Sequence, residues 1–158
     1  MDGHLPKAFL TEIAVRVSVE DRAAIDDLLM DYVWASDTAD VEAYALTFAG
    51  DGVLIDSSGG RHEGRVAIQQ YAREFFALPG GRGRVHFFQK MRMSAEAGGI
   101  RVFSFWQVVQ SIAATREGKL RSVGTCDDFC VWTPEGWRFA ERRIGRWNDE
   151  TAPWKTGG

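Results

Sequence analysis

The sequence predicts an α+β fold in which about three N-terminal helices are wrapped by one long, curved, cone-shaped antiparallel sheet. Three observations carry this expectation. Apolar residues recur at helical spacing in the first half of the chain and alternate from Arg84 onward. The later segments are separated by the short turn signals Ala97-Gly98-Gly99, Arg116-Glu117-Gly118 and Pro134-Glu135-Gly136, which join neighbours into a meander. Those segments also exceed the usual strand length, which favours a strongly curved, bulged sheet over a flat one. A chain of 158 residues accommodates one such domain, expected over residues 18–148, with an N-terminal arm (1–17) and a C-terminal tail (149–158) loosely attached.

Ser18-Val19-Glu20-Asp21 is a capping start, with the serine hydroxyl and two acids at the positive end of a helix dipole. Ile25, Leu28, Leu29, Tyr32 and Val33 then form one stripe, flanked by Asp26, Asp27 and Asp31. Asp40 is a good N-cap for a second short helix running through Val41, Ala45 and Phe48 to Gly50. "GVLIDSSGGRHEG" is a strand, a turn and a short returning strand closed by Gly64. Ile68, Tyr71, Ala72, Phe75 and Phe76 mark a third helix, which stops at Leu78-Pro79-Gly80-Gly81. Four long strands follow: "RVHFFQKMRMSAE", "IRVFSFWQVVQSIAA", "KLRSVGTCDDFCVWT" and "GWRFAERRIGRWN".

The formal charge of -3 provides no global positive field, so neither nucleic acid nor an acidic membrane surface is an expected partner. No signal peptide or spanning segment is expected, and the default location is cytoplasmic. Six Trp and ten Phe suit an apolar pocket or a subunit interface, and a cone-shaped sheet exposes its convex face, so a homo-oligomer, dimer or trimer, is expected. Cys126 and Cys130, the only cysteines, lie on one strand face roughly 13 Å apart at about 3.3 Å per residue, too far to pair. A reduced, buried role is expected. Three scattered histidines without paired spacing argue against a metal site, and no cofactor is expected.

Asp37 stands one turn beyond Val33, at the negative end of the first helix, where a carboxylate is electrostatically misplaced. Asp40 fits the capping task better, which leaves Asp37 for another purpose. His86 opens a strand on which it shares a face with Phe88; a neutral imidazole there can take a proton while a carboxylate on its other nitrogen steadies the imidazolium. That is triad logic without a nucleophile. Its alternative is a histidine hydrogen-bonded to backbone. His62 is expected to face water and His4 belongs to the arm. Tyr32, inside the apolar stripe, needs a partner for its hydroxyl or a cavity to face. Arg142 and Arg146 share a strand face, and whichever enters a cavity could bind a carboxylate or an enolate-like oxygen. "GGRGR" follows a helix and precedes a strand, so it is a flexible lid or turn and not a phosphate loop.

In order, "IDDLLMDYVWASDTADVEAYALTFAGDGVL", "HEGRVAIQQYAREFF", "RVHFFQKMRM", "VGTCDDFCVW" and "GWRFAERRI" resemble the SnoaL-like branch of the nuclear transport factor 2-like (NTF2-like) superfamily, over about Val19 to Trp147. The resemblance, which includes scytalone dehydratase, lindane dehydrochlorinase and bile-acid 7α-dehydratase types, implies a His-Asp pair at His86 and Asp37 for proton abstraction and elimination. It also implies active-site roles for Tyr32, five residues before the aspartate, and Arg146, nine past Trp137. One element departs: a further aspartate of the bile-acid type has no counterpart in "FWQVVQ", where Val108 stands nearest the expected place.

The expectation is therefore a cofactor-independent lyase or isomerase, dehydratase-like, acting on a hydrophobic small molecule. His86 is the base, Asp37 orients it, Tyr32 assists the leaving oxygen and Arg146 holds an anionic or carbonyl group. Phe88, Trp106 and Val108 line the pocket. Three alternatives stand beside it: a ligand-binding protein without turnover, a structural partner like the β subunit of ring-hydroxylating dioxygenases, and a polyketide cyclase or ketosteroid-isomerase-like enzyme with Asp37 as base.

Overall fold

A computed structural model describes residues 16–148. The expected tail from residue 149, and the expected arm up to residue 15 with His4, lie outside the described residues. Helix α1 spans Val19–Thr38, capped by Ser18, whose hydroxyl accepts from the backbone N–H of Asp21. Ile25, Leu28, Leu29, Tyr32 and Ala35 form its buried stripe. It ends where Ala39 takes a left-handed conformation (φ 58°) and donates to the carbonyls of Ala35 and Ser36. Helix α2, Val41–Leu46, is capped by Asp40 accepting from the Ala43 N–H at 2.9 Å.

Helix α2 stops short of the expected Gly50. Phe48 instead opens strand β1 (Phe48–Ile55), because Thr47 gives its carbonyl to the N–H of Phe139 and the Phe48 ring packs on Phe139 with centroids 5.4 Å apart. A long-range apolar contact overrides the local helical pattern here. Strand β2 (Arg61–Glu63) returns against β1, and helix α3 (Gly64–Phe76) follows.

Strands β3 (Arg84–Glu96), β4 (Gly99–Ile112), β5 (Glu117–Thr133) and β6 (Gly136–Arg146) form the antiparallel meander, and the six-stranded sheet has the order β2-β1-β6-β5-β4-β3. One pair departs from the antiparallel pattern: β1 runs parallel to β6, with Val53, Leu54 and Ile55 opposite Glu141, Arg142 and Arg143. The register slips between Gln89 and Arg92, between Val108 and Val109, and between Phe129 and Cys130. These bulges supply the curvature that such long strands require.

The helices pack into the concave face, where Ile25, Leu29, Phe48, Leu54, Ile68 and Phe139 are fully buried. Each such side chain contributes about 1.5–3 kcal/mol over an exposed one. Cys126 and Cys130 are free and buried on this face. Gly124 sits opposite Trp106, and a Cβ there would run into the indole and the carbonyl of Gly145. Only glycine lets that indole lie close against β5. The outer face carries exposed Val85, Phe87, Leu120 and Val123.

Candidate active site

Alternation along β3 turns Val85 and Phe87 outward, so His86 and Phe88 face the helices. His86 is thereby set against the last turn of α1. Its backbone N–H donates to Asp37 Oδ2 at 2.9 Å, and its Nδ1 lies 2.5 Å from Asp37 Oδ1. An ionised carboxylate only accepts, so Nδ1 is the donor, and in the neutral imidazole Nε2 is left as the acceptor. Two donors on one carboxylate offset its misplacement at the helix C-terminus.

A cavity of about 410 Å³ opens between the helices and the sheet. His86, Tyr32, Phe88, Trp106, Val108 and Arg146 all line it. Asp37 does not. It borders a smaller space of about 350 Å³ beside the Gly81–Gly83 turn, which shares Ser36, Phe75, Arg84 and His86 with the main cavity. The imidazole that Asp37 holds is thus part of the main cavity's lining, and the carboxylate is not. Trp106 is held by its indole N–H, which donates to the Thr125 carbonyl at 3.1 Å.

The hydroxyl of Tyr32 finds its partner in Tyr44, oxygen to oxygen 2.7 Å, and both tyrosines line the cavity. Burial raises the pKa of Tyr32, against the pull of Arg142, so the phenol keeps its proton and remains a donor. Tyr44 escaped the sequence reading because nothing in a short helix announces which tyrosine points inward.

Both arginines on the β6 face reach the cavity, at different depths: Arg146 is exposed, and Arg142 is fully buried. The Arg142 guanidinium lies 4.0 Å from the ring centroid of Tyr32 and 4.7 Å from that of Phe139. It donates to Asp128 Oδ2 at 2.8 Å and to Cys126 Sγ at 3.2 Å. Burial pushes the Asp128 carboxyl up to about 7, opposed by Arg142, and pushes the Cys126 thiol up to about 12. Asp128 was legible in principle: it shares strand parity with Gly124, Cys126 and Cys130, so an inward carboxylate demanded a cation on a neighbouring strand.

His62 does not face water as expected. Its Nε2 meets Asp56 Oδ2 at 2.8 Å, and its ring packs on Tyr71 with centroids 4.5 Å apart. Asp56 Oδ1 also accepts from the Ser58 hydroxyl and from the backbone N–H groups of Ser58 and Gly60. Burial pulls this carboxyl upward, but the bonds from His62 and Ser58 outweigh it and hold it down at about 2. Because the folded-state pKa lies below the ordinary 3.8, the stabilisation is present above about pH 4 and is lost as pH falls toward 2. Asp56→Asn is expected to remove about 1–2 kcal/mol at neutral pH and to flatten the acid limb between about pH 4 and 2, measured by urea unfolding across pH.

Among the described residues, no group of three or more His, Cys, Asp or Glu is placed to hold a metal ion. Nor is any helix there long and apolar enough to cross a membrane.

The SnoaL-like domain family matches residues 17–143, which is most of the chain. The chain belongs to the SnoaL-like domain family. No curated protein matches it in sequence. Among solved structures, it is similar to Aln2 from a Streptomyces species, with a TM-score of 0.75 and 21% identity, covering 82% of this chain and 93% of that one. It is also similar to a protein of unknown function from Mycobacterium tuberculosis, with a TM-score of 0.72 and 23% identity over 82% and 73% of the two chains. A scytalone dehydratase-like protein from Novosphingobium aromaticivorans follows with a TM-score of 0.69 and 18% identity over 82% and 86%. At these identities the likeness establishes the fold, and the SnoaL-like match carries the family.

Proposed function

We propose that this SnoaL-like protein is a cofactor-independent lyase or isomerase, dehydratase-like, that abstracts a proton from a hydrophobic small molecule held in the cavity. The observation that carries the reading is the double hold of Asp37 on His86, through Nδ1 and the backbone N–H, with the imidazole and not the carboxylate facing the cavity. His86 Nε2 takes a proton from carbon, and Asp37 stabilises the imidazolium that forms. The C–H electron pair becomes the new double bond. In elimination the C–O bond on the neighbouring carbon breaks, and the Tyr32 hydroxyl, held as a donor by burial, supplies the proton for the departing oxygen. Arg142 lies under the Tyr32 ring, so a negative charge on the phenolate has a cation beside it. Phe88, Trp106 and Val108 furnish the apolar wall that keeps bulk water from the transferred proton.

The carboxylate-base alternative puts Asp37 at the substrate, whereas Asp37 stands behind His86 and outside the main cavity lining. A mass-spectrometric screen separates the two. Ring compounds with an activated C–H are incubated in D₂O, and water loss or deuterium uptake is read with wild type, His86→Ala and Asp37→Asn. The dyad reading expects His86→Ala to lose at least as much turnover as Asp37→Asn. The reverse order would transfer the role of base to Asp37, and full turnover by both variants would sink the proton-transfer proposal.

A further inference from the structure

The cavity is lopsided in charge. Four arginines line it, Arg84, Arg121, Arg142 and Arg146, and no aspartate or glutamate among the described residues does. In a chain whose formal charge is -3 this concentration of one sign at one opening is not a property of the surface at large. Arg142 is engaged within the fold by Asp128, to which it donates. Arg84 and Arg121 are not matched in this way among the described residues.

Arg84 starts β3 on the inward face, opposite Gln110. Its Nε donates to the Gly80 carbonyl at 3.1 Å and its guanidinium lies 5.6 Å from the ring centroid of Phe75, a cavity-lining residue, with no carboxylate partner among the described residues. Gln110 fixes the same turn by donating to the carbonyls of Gly80 and Arg82, both at 2.9 Å, so Arg84 is held by a braced loop. Arg121 owes its direction to a bulge. Ser122 pairs with Val108 on the inward face and Leu120 pairs with Val109 on the outward face, leaving Arg121 as the extra residue between them. Ser122 and Arg121 therefore both line the cavity although they are sequence neighbours, which a regular strand forbids. Arg121 is exposed and carries no ion pair among the described residues, which places it where the cavity opens.

We infer that the cavity selects an amphipathic organic anion, whose apolar ring body lies against Phe88, Trp106 and Ile144 while its acidic group meets Arg84 and Arg121 at the opening. The inference rests on the cavity being the ligand site of the reading above, and not on the chemistry of the dyad. Arginine suits this task because its planar fork gives paired donors to carboxylate or phosphate oxygens.

The test is competitive displacement of the fluorescent probe 8-anilinonaphthalene-1-sulfonate by 2-naphthoate, 2-naphthyl phosphate and neutral 2-naphthol. One of the two anions is expected to displace the probe at about a tenfold lower concentration than 2-naphthol, a charge-assisted margin, and their ranking identifies the acidic group. In Arg84→Gln/Arg121→Gln the advantage is expected to fall below about threefold, while the dissociation constant of 2-naphthol, corrected for the weaker binding of the anionic probe, is unchanged, which also reports an intact cavity. A measurement on the wild type needs no variant: raising salt from about 0.01 M to about 1 M shortens the screening length from about 30 to about 3 Å and is expected to erode the anion advantage alone. Equal displacement by 2-naphthol and both anions, or an advantage that survives high salt and the double substitution, would overturn the inference. His86→Ala separates the two readings, since lost turnover with intact anion preference supports both, and intact turnover with intact preference removes the dyad alone.

Discussion

Arg142→Met is expected to destabilise the folded chain by about 3–5 kcal/mol, read as a lower urea midpoint at unchanged slope. The cause is the carboxylate left behind. Asp128 is fully buried, and Arg142 Nη1 at 2.8 Å is the cation that answers its charge. Without the guanidinium Asp128 must stay charged in a dry interior or take up a proton. Already in the native chain burial holds this carboxyl at about 7, so the fold retains the proton after the unfolded chain has released it, and stability falls as pH rises from about 4 to about 7. In Arg142→Met that decline should continue to higher pH, because the pull of Arg142 on the Asp128 carboxyl is gone. The double variant Arg142→Met/Asp128→Leu, which removes both charges, is expected to recover most of the loss. If the double variant is no more stable than the single one, the stacking of Arg142 on Tyr32 and Phe139 holds the region and the ion pair does not.

The second large effect is on turnover. His86→Ala is expected to lower kcat by about 10²- to 10⁴-fold, the range of a positioned general base, with a much smaller change in KM. The fold tolerates the change, because the backbone N–H of residue 86 still donates to Asp37 Oδ2. Loss of stability should stay within about 1.5–3 kcal/mol, the scale of one hydrogen bond to a charged group. Partial recovery on adding free imidazole would identify the missing base, as the truncated side chain leaves room for it. A kcat within threefold of wild type would instead assign His86 a packing role.

The helical stripe of α1, the caps at Ser18 and Asp40 and the four long strands were legible because each follows from short-range rules of spacing and turn chemistry. The end of α2 was not, since Phe48 obeys a helical pattern locally and is recruited by Phe139, far along the chain. His62 was misjudged for the same reason: Asp56 and Tyr71, which hold it, are brought to it by the turn and by α3. Tyr44 and the Asp128–Arg142 pair are also products of assembly, because a hydroxyl pair and a buried charge pair each need two elements in register.

By itself, the sequence determined the order of elements, the shared strand face of His86 and Phe88, and the placing of Asp37 at a helix end where a carboxylate needs a partner. The tertiary structure alone decided that Asp37 also accepts from the backbone N–H of His86, that Asp37 borders a space beside the main cavity, and that the bulge at Arg121 turns a second cation toward the cavity's opening. The division has a physical origin. Periodicity and capping act within a few residues, whereas tautomer, charge matching and cavity access depend on where distant strands and helices come to rest.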